Sequence, residues 1–132
     1  SMVKSGDLEG DLKSYYTTYM AGILRSVRFG ASSAHGKANM QCFNFFKEKG
    51  GFERSEAGVY SVNFEKFESA MNELSKYILS LQGNGDKAAV LKAQQERGVI
   101  GKELQADLDR LGKRGIPVDI VFEQGVDVLG VK

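Results

Sequence analysis

The sequence feature that most constrains the fold is a run of apolar side chains spaced three and four residues apart. Its members are Phe64, Phe67, Met71, Leu74, Ile78 and Leu81. This spacing places all of them on one narrow stripe of an α-helix, which must pack along its length against other elements. Asn63 is suited to cap the helix, and Gly83, Asn84 and Gly85 predict its end. The chain is therefore predicted to be built around one long packed helix.

A pair of helices is predicted ahead of this stripe. Apolar positions from Leu8 to Val27 recur every three or four residues, and Gly30 is placed to end that helix. Ser32 or Ser33 is suited to cap the second helix, which a glycine pair ends. The face predicted for its buried side consists of Ala34, Ala38, Gln41 or Cys42, Phe45 and Phe46. The two helices are expected to form a hairpin.

The remaining chain is predicted to hold one small β-hairpin, two shorter helices and a tail. Short extended pieces at 52–54 and 59–62 flank a polar turn, and helices follow at 86–97 and 101–114. A glycine and a proline stop the last helix, so the segment 116–131 is predicted to be extended. The expected fold is mainly α, a bundle-like domain of about five helices with one β-hairpin and an extended C-terminal tail.

Composition narrows the classes of function. The chain has 132 residues, which predicts one domain over residues 3–132, with Ser1 and Met2 interpreted as a vector remnant. A net charge of +1 indicates neither nucleic acid nor an anionic membrane as a partner. No apolar run approaches the roughly 20 residues that span a bilayer, and no export signal is visible, so a cytoplasmic protein is expected.

Residues able to carry chemistry are few. One His and one Cys cannot supply the usual four ligands of a zinc site, so no metal is expected in this chain. The sequence also lacks the common zinc-peptidase, nucleophile-elbow and phosphate-loop motifs. The glycine-rich stretch from Gly83 to Asp86 leads into a helix start, but it is interpreted as an interhelical turn because Asp86 would occupy the donors that an anion needs.

His35 is the side chain best suited to catalysis. It is predicted to lie in the first turn of the second helix, where Gly36 is expected to leave open space beside it. A helix N-terminus disfavours the imidazolium form, so a neutral His35 is suited to donate a hydrogen bond to a substrate carbonyl or oxyanion. The alternative is a surface or structural histidine. Cys42 lies two helical turns away, roughly 10 Å, which is too far for His35 to activate it.

A basic rim is also predicted near this histidine. Arg25, Arg28 and Lys37 flank the turn between the first two helices and would suit a ligand that carries a carboxylate. The alternative is that the arginines complement the negative end of the first helix dipole.

Several separated blocks of the sequence resemble one known family in the same order. They are Arg25-Ser26-Val27-Arg28-Phe29-Gly30, Ala34-His35-Gly36-Lys37-Ala38, Phe43-Asn44-Phe45, Glu48-Lys49-Gly50, Val62-Asn63-Phe64, Leu79 through Asp86, and Pro117-Val118-Asp119-Ile120. The chain resembles the C-terminal part of the dipeptidyl peptidase III family of zinc metallopeptidases. The branch it resembles includes bacterial members and the peptidase-like region fused behind a Nudix domain in some plant proteins.

The resemblance implies a C-terminal fragment of a two-lobed peptidase that removes dipeptides from short peptides. Zinc in that family is held by two motifs upstream of the matched region, and neither is present here, so zinc is implied for the parent protein and hydrolysis is not expected of this chain alone. The implied partners are the rest of the parent and short peptides.

The resemblance also bears on individual residues. Within Ala34-His35-Gly36, His35 resembles the family's substrate-contacting histidine on the wall of the peptide cleft. The match does not secure a substrate-binding role for Arg28 and Lys37. A second reading is a non-catalytic peptide-binding or regulatory domain, one that could be attached to a Nudix hydrolase.

Overall fold

The computed structural model describes residues 3, 5–120 and 122–130. Within this part of the chain, helices dominate and the strands form one antiparallel hairpin, so the predicted fold class is confirmed. The elements are α1 (Leu12–Ser26), a 3-10 turn (Val27–Phe29), α2 (Ala34–Glu48), β1 (Phe52–Arg54), β2 (Tyr60–Val62), α3 (Phe64–Asn84), α4 (Lys87–Arg97), α5 (Lys102–Lys113) and α6 (Val126–Leu129).

The helix starts follow the capping residues of the sequence. Ser33 Oγ accepts a hydrogen bond from the Gly36 N–H at 3.0 Å and begins α2. Asn63 Oδ1 accepts from the Lys66 N–H at 3.2 Å and begins α3, and Asp86 caps α4 in the same way. These caps satisfy backbone donors that have no partner within the helix. The predicted starts of all three helices are confirmed.

The predicted start of α1 is wrong. Leu8 lies before the helix and is 42% exposed, although it continues the apolar spacing. The helix begins at Leu12 because Asp11 is its N-cap, with a carboxylate oxygen that accepts from the Lys13 N–H at 3.2 Å. The capping hydrogen bond thus determines where the helix begins, although the apolar spacing continues by one further position.

The buried face of α2 also differs from the prediction. Ala34 and Ala38 are exposed, whereas Gly36, Met40 and Phe43 are buried together with the two phenylalanines that the prediction included. The helix is rotated so that its largest apolar side chains enter the core, because burial of a large side chain releases more apolar surface from water than burial of an alanine.

The core lies where α1, α2, α3 and the hairpin meet. Its centre holds Phe46 and Phe67, which are fully buried with ring centroids 4.9 Å apart. Tyr16 of α1 stacks on Phe67 at 4.5 Å, and Leu104 brings α5 into the same cluster. Among the described residues, no helix is both long enough and apolar enough to cross a membrane.

The C-terminal tail is not extended throughout. The segment 116–120 lies outside helices and strands but bends at 118–119, and the one-turn helix α6 interrupts the tail further on. The predictions for Ser1 and Met2, and the parts of the predicted tail at Val121 and Val131, lie outside the described residues.

Candidate functional site

His35 lies at the start of α2, as predicted. It is the second residue of the helix, and Ser33 is the N-cap. Its side chain is exposed, and no hydrogen bond or ion pair joins it to another described residue. Both ring nitrogens are therefore free to meet a ligand.

The helix start that carries His35 is held by a direct backbone contact. Gly36 is buried, and a Cβ atom at this position would lie only 2.2 Å from the carbonyl oxygen of Gly30. The expectation that Gly36 leaves open space beside His35 is therefore wrong. Glycine is required because the first turn of α2 packs on the preceding turn, where Gly30 has a φ of +84°. His35 thus projects from a fixed support.

The arginines of the predicted basic rim contact the tail. Arg28 Nη2 donates a hydrogen bond to the carbonyl oxygen of Ile116 at 2.8 Å. Arg25 Nη2 lies 3.4 Å from a carboxylate oxygen of Asp119, in an exposed ion pair. The two contacts join the end of α1 and the 3-10 turn after it to residues that follow α5. The two arginines therefore position the start of the tail.

Lys37 faces a different side of α2 from His35. Two positions along a helix separate side chains by about 200° around its axis, and the buried Gly36 lies between them. Lys37 lines an open groove of about 610 Å³ with residues from the end of α4 and the loop after it, among them Gln94, Gln95 and Val99. The structure therefore does not place Lys37 on the side of α2 that carries His35.

The densest set of charges in the described chain lies elsewhere, around Asp107 of α5. This carboxylate is 5% exposed. Arg54 of β1 holds both of its oxygens, with Nε at 2.7 Å and Nη2 at 2.9 Å, and the Tyr60 hydroxyl donates at 2.7 Å. Arg110 lies 3.3 Å away and also donates to the carbonyl oxygens of Ala57 and Gly58. We call Arg54, Tyr60, Asp107 and Arg110 the Asp107 cluster.

The titration of the cluster follows from these contacts. Hydrogen bonds from Arg54 lower the pKa of Asp107 to about 2, since they favour the ionised carboxylate. Burial, and then the hydrogen bond to Asp107, raise the pKa of Tyr60 to about 12. The hydrogen bond to Asp107 also raises the pKa of Arg54. At neutral pH the cluster holds a carboxylate with every oxygen occupied, which leaves it no free acceptor for a substrate proton.

The sequence patterns did not predict this cluster, although one signal was present. Asp107 lies three residues after Leu104 and one before Leu108, so it falls on the apolar stripe predicted for the fifth helix. A carboxylate on a stripe that faces the core needs a partner. The partners come from the hairpin, 53 positions away for Arg54 and 47 for Tyr60, and no local pattern names them.

A second cross-link joins α2 to α4. Arg97 pairs with Glu48 at 2.9 Å, and its guanidinium lies over the rings of Phe45 and Tyr77, at 5.7 Å and 5.5 Å. The side-chain nitrogen of Asn44 donates to the carbonyl oxygen of Arg97 at 2.7 Å. It also donates to a carbonyl oxygen in the loop that follows α4. Two of the sequence blocks singled out above therefore hold helices together.

The described residues do not fit a metal. No group of three or more His, Cys, Asp or Glu side chains in this part of the chain is placed to hold an ion. Cys42 is half-buried, and burial raises the pKa of its thiol, which disfavours the thiolate that metals and electrophiles require.

The sequence of the chain was compared with those of known proteins. No protein-family model matches the chain. It is 40% identical over 109 residues to Nudix hydrolase 3 of Arabidopsis thaliana, a match that covers 83% of this chain and 14% of that protein.

Two solved structures share its fold. The dipeptidyl-peptidase III of Corallococcus sp. strain EGB matches with a TM-score of 0.84 and 33% identity, over 91% of this chain and 22% of that one. The enzyme called DPP III from Caldithrix abyssi matches with a TM-score of 0.82 and 33% identity, over 90% of this chain and 23% of that one.

In fold and sequence the chain therefore resembles a segment of dipeptidyl-peptidase III. The resemblance identified from the sequence blocks is confirmed, and the Arabidopsis relative is consistent with the Nudix-fused branch. The chain spans less than a quarter of the length of each of these three proteins.

Proposed function

We propose that this chain is the C-terminal helical part of a longer dipeptidyl peptidase III-like enzyme, in which it walls the peptide cleft and His35 contacts the substrate. The observation that carries the proposal is the match to two dipeptidyl-peptidase III structures over at least 90% of the chain. The site supports it, because the exposed His35 has no partner among the described residues and stands on a fixed helix start.

The chemistry of His35 follows from its place on α2. The unpaired N–H groups at a helix start carry partial positive charge, which favours negative charge nearby. An imidazole N–H of His35 donates a hydrogen bond to the carbonyl oxygen of a bound peptide. That bond strengthens as negative charge develops on the oxygen, so it stabilises the transition state more than the substrate.

The catalytic metal of such an enzyme belongs to another part of the protein. The described residues offer no ligand set, so any zinc ion would be held by residues outside this chain. The contribution of this chain is the cleft wall and the hydrogen bond from His35. Lys37, which is exposed beside its groove, and Arg28 are proposed as weaker contacts for a carboxylate of the peptide.

The test is a dipeptide-release assay on the whole protein that the native gene encodes. The proposal expects release of dipeptides from the N-terminus of short peptides, and an upstream region that encodes a His-Glu zinc helix followed by a second acidic motif. A whole protein that has neither motif and releases no dipeptides would contradict it.

A second candidate function is a non-catalytic peptide-binding or regulatory domain attached to a Nudix hydrolase. The match to Arabidopsis Nudix hydrolase 3 favours it. Titration of labelled tripeptides against this chain, followed through the His35 ring resonances, separates the two candidates. Saturable binding by the chain alone supports the binding domain, whereas unchanged resonances at high peptide concentration favour a cleft wall that needs the rest of the enzyme.

A further inference from the structure

An apolar pocket of about 180 Å³ lies between α2 and α3, and we call it the α2–α3 pocket. Its lining includes Phe45 of α2 and Leu74 of α3, which are 5% and 8% exposed. Tyr77, Ile78 and Leu81 line the rest of its α3 side. Cavities that hold a whole small molecule measure about 300 to 1,000 Å³. The size and lining of this pocket therefore match a single apolar side chain.

The α2–α3 pocket begins one helical turn from His35. Its first lining residue on α2 is Ala38, which lies three positions after His35. Residues three apart are neighbours on a helix surface, with about 5 to 6 Å between their Cβ atoms. An extended peptide advances about 3.3 Å per residue. A peptide that contacts His35 and lies along α2 therefore brings the side chain two residues further on to the pocket.

The α2–α3 pocket offers no unpaired charge to a ligand. Arg97 is the one charged side chain among the described residues that line it. Its guanidinium is already paired with Glu48 at 2.9 Å and lies over the rings of Phe45 and Tyr77. An ionised ligand side chain would lose its hydration there without gaining a free partner of opposite charge. The pocket therefore favours an uncharged side chain.

One amide in the lining of the pocket has no hydrogen-bond partner. Gln41 is half-buried, and its side chain makes no hydrogen bond to another described residue. A glutamine amide offers two donors and one acceptor oxygen, which match the C=O and N–H groups of a peptide backbone. Ligand pockets typically combine an apolar lining with a few such polar groups. Gln41 is therefore suited to hold the backbone of a peptide whose side chain enters the pocket.

We propose that the α2–α3 pocket binds the side chain of the fourth residue of a peptide substrate and selects an apolar one. The inference rests on the proposed function, in which His35 contacts the carbonyl group that is attacked when an N-terminal dipeptide is released. That carbonyl belongs to the second residue, so the side chain two residues further on belongs to the fourth. Gln41 holds the peptide backbone there. Ala38 determines the choice, because its small side chain leaves room for the substrate side chain at the end of the pocket nearest to His35.

Dipeptide release by the whole protein tests the pocket, with alanine pentapeptides that carry one leucine at each position in turn. The expected result is a kcat/KM that is higher by roughly 10-fold or more when leucine is fourth, and no such gain when aspartate is fourth. Ala38→Leu, which fills the pocket from its α2 side, should bring the values for leucine and alanine at the fourth position together. Ala88→Leu makes the same change at an exposed position of α4 outside the pocket, so it should keep the preference.

The outcomes separate the pocket from the proposed function. Release of dipeptides with no preference at the fourth position, or with a preference that Ala38→Leu leaves intact, overturns the pocket and leaves the role of His35 standing. Release from none of the pentapeptides overturns the proposed function and this inference with it. Because Ala38 is exposed, Ala38→Leu should keep the thermal midpoint of the unaltered protein. The comparison of pentapeptides with the unaltered protein remains decisive even if that variant fails to fold.

Discussion

Two regions of this molecule carry its notable polar side chains, and they are built in opposite ways. Around Asp107, four side chains from the hairpin and α5 occupy one another's hydrogen-bonding atoms, and the central carboxylate is buried. At the start of α2, His35 is exposed and has no partner in the described chain, while the backbone beneath it is tightly packed.

The difference shows that a dense charge cluster is not by itself a site. The Asp107 carboxylate has no free acceptor and its proton affinity is low, so its contacts join α5 to the hairpin. His35 is exposed and makes no hydrogen bond within the described chain, which leaves its hydrogen-bonding capacity for another molecule. Loss of Asp107 should therefore lower stability, and loss of His35 should affect only function.

The largest effect is expected for Asp107→Ala. It leaves two arginines and the Tyr60 hydroxyl without their shared acceptor, and loss of one member of a buried charged pair costs about 3 to 5 kcal/mol of unfolding free energy. Urea unfolding followed by circular dichroism measures it. Asp109→Ala, an exposed aspartate on the same helix, is the control and should cost much less. Equal losses in the two variants would contradict a structural role for the cluster.

The contact beneath His35 is tested by Gly36→Ala. The added Cβ would meet the Gly30 carbonyl oxygen at 2.2 Å, and such overpacking costs about 1 to 3 kcal/mol. Gly22→Ala is the matched control, since a Cβ there meets nothing within 4 Å and removal of a helical glycine should stabilise the chain by about 0.5 to 1 kcal/mol. Thermal unfolding of both variants should give shifts of opposite sign; two shifts of the same sign would exclude the backbone contact.

Acid should weaken the cluster less than deletion does, because a protonated Asp107 keeps both oxygens. The pKa of Asp107 falls from an ordinary 3.8 to about 2 in the folded chain. Its contribution to stability is therefore fully present above pH 4 and is lost as pH falls through the folded pKa, about 2. Urea midpoints measured between these values should fall more steeply for the unaltered chain than for Asp107→Asn, and parallel slopes would refute the assignment.

The smallest effect on folding is expected for His35→Ala. The side chain is exposed and makes no hydrogen bond within the described chain, so the unfolding free energy should stay within about 0.5 kcal/mol of the unaltered value. Urea unfolding of this chain measures it. A loss as large as that of Gly36→Ala would show that His35 is a structural residue.

Local patterns in the sequence predicted the helices because each depends on near neighbours. The stripe of α3 and the caps at Ser33, Asn63 and Asp86 are examples. The one-turn helix α6 is too short to show a period, and it was missed.

Features that depend on tertiary contacts could not be predicted from the sequence. The rotation of α2 depends on which side chains the other helices bury, and the Gly36 contact depends on how the preceding turn folds back. The site was predicted in part: the place of His35 on its helix followed from the sequence, but the direction taken by Arg28 and Lys37 did not, since it depends on the tail and α4.

His35 is proposed to contact a bound peptide and not to stabilise the fold. The most direct measurement is the turnover of the whole protein in the dipeptide-release assay, with and without His35→Ala, alongside the thermal midpoint of each form. The expected result is turnover that is lower by roughly 10- to 1000-fold with an unchanged midpoint. Unaltered turnover in the variant would contradict it.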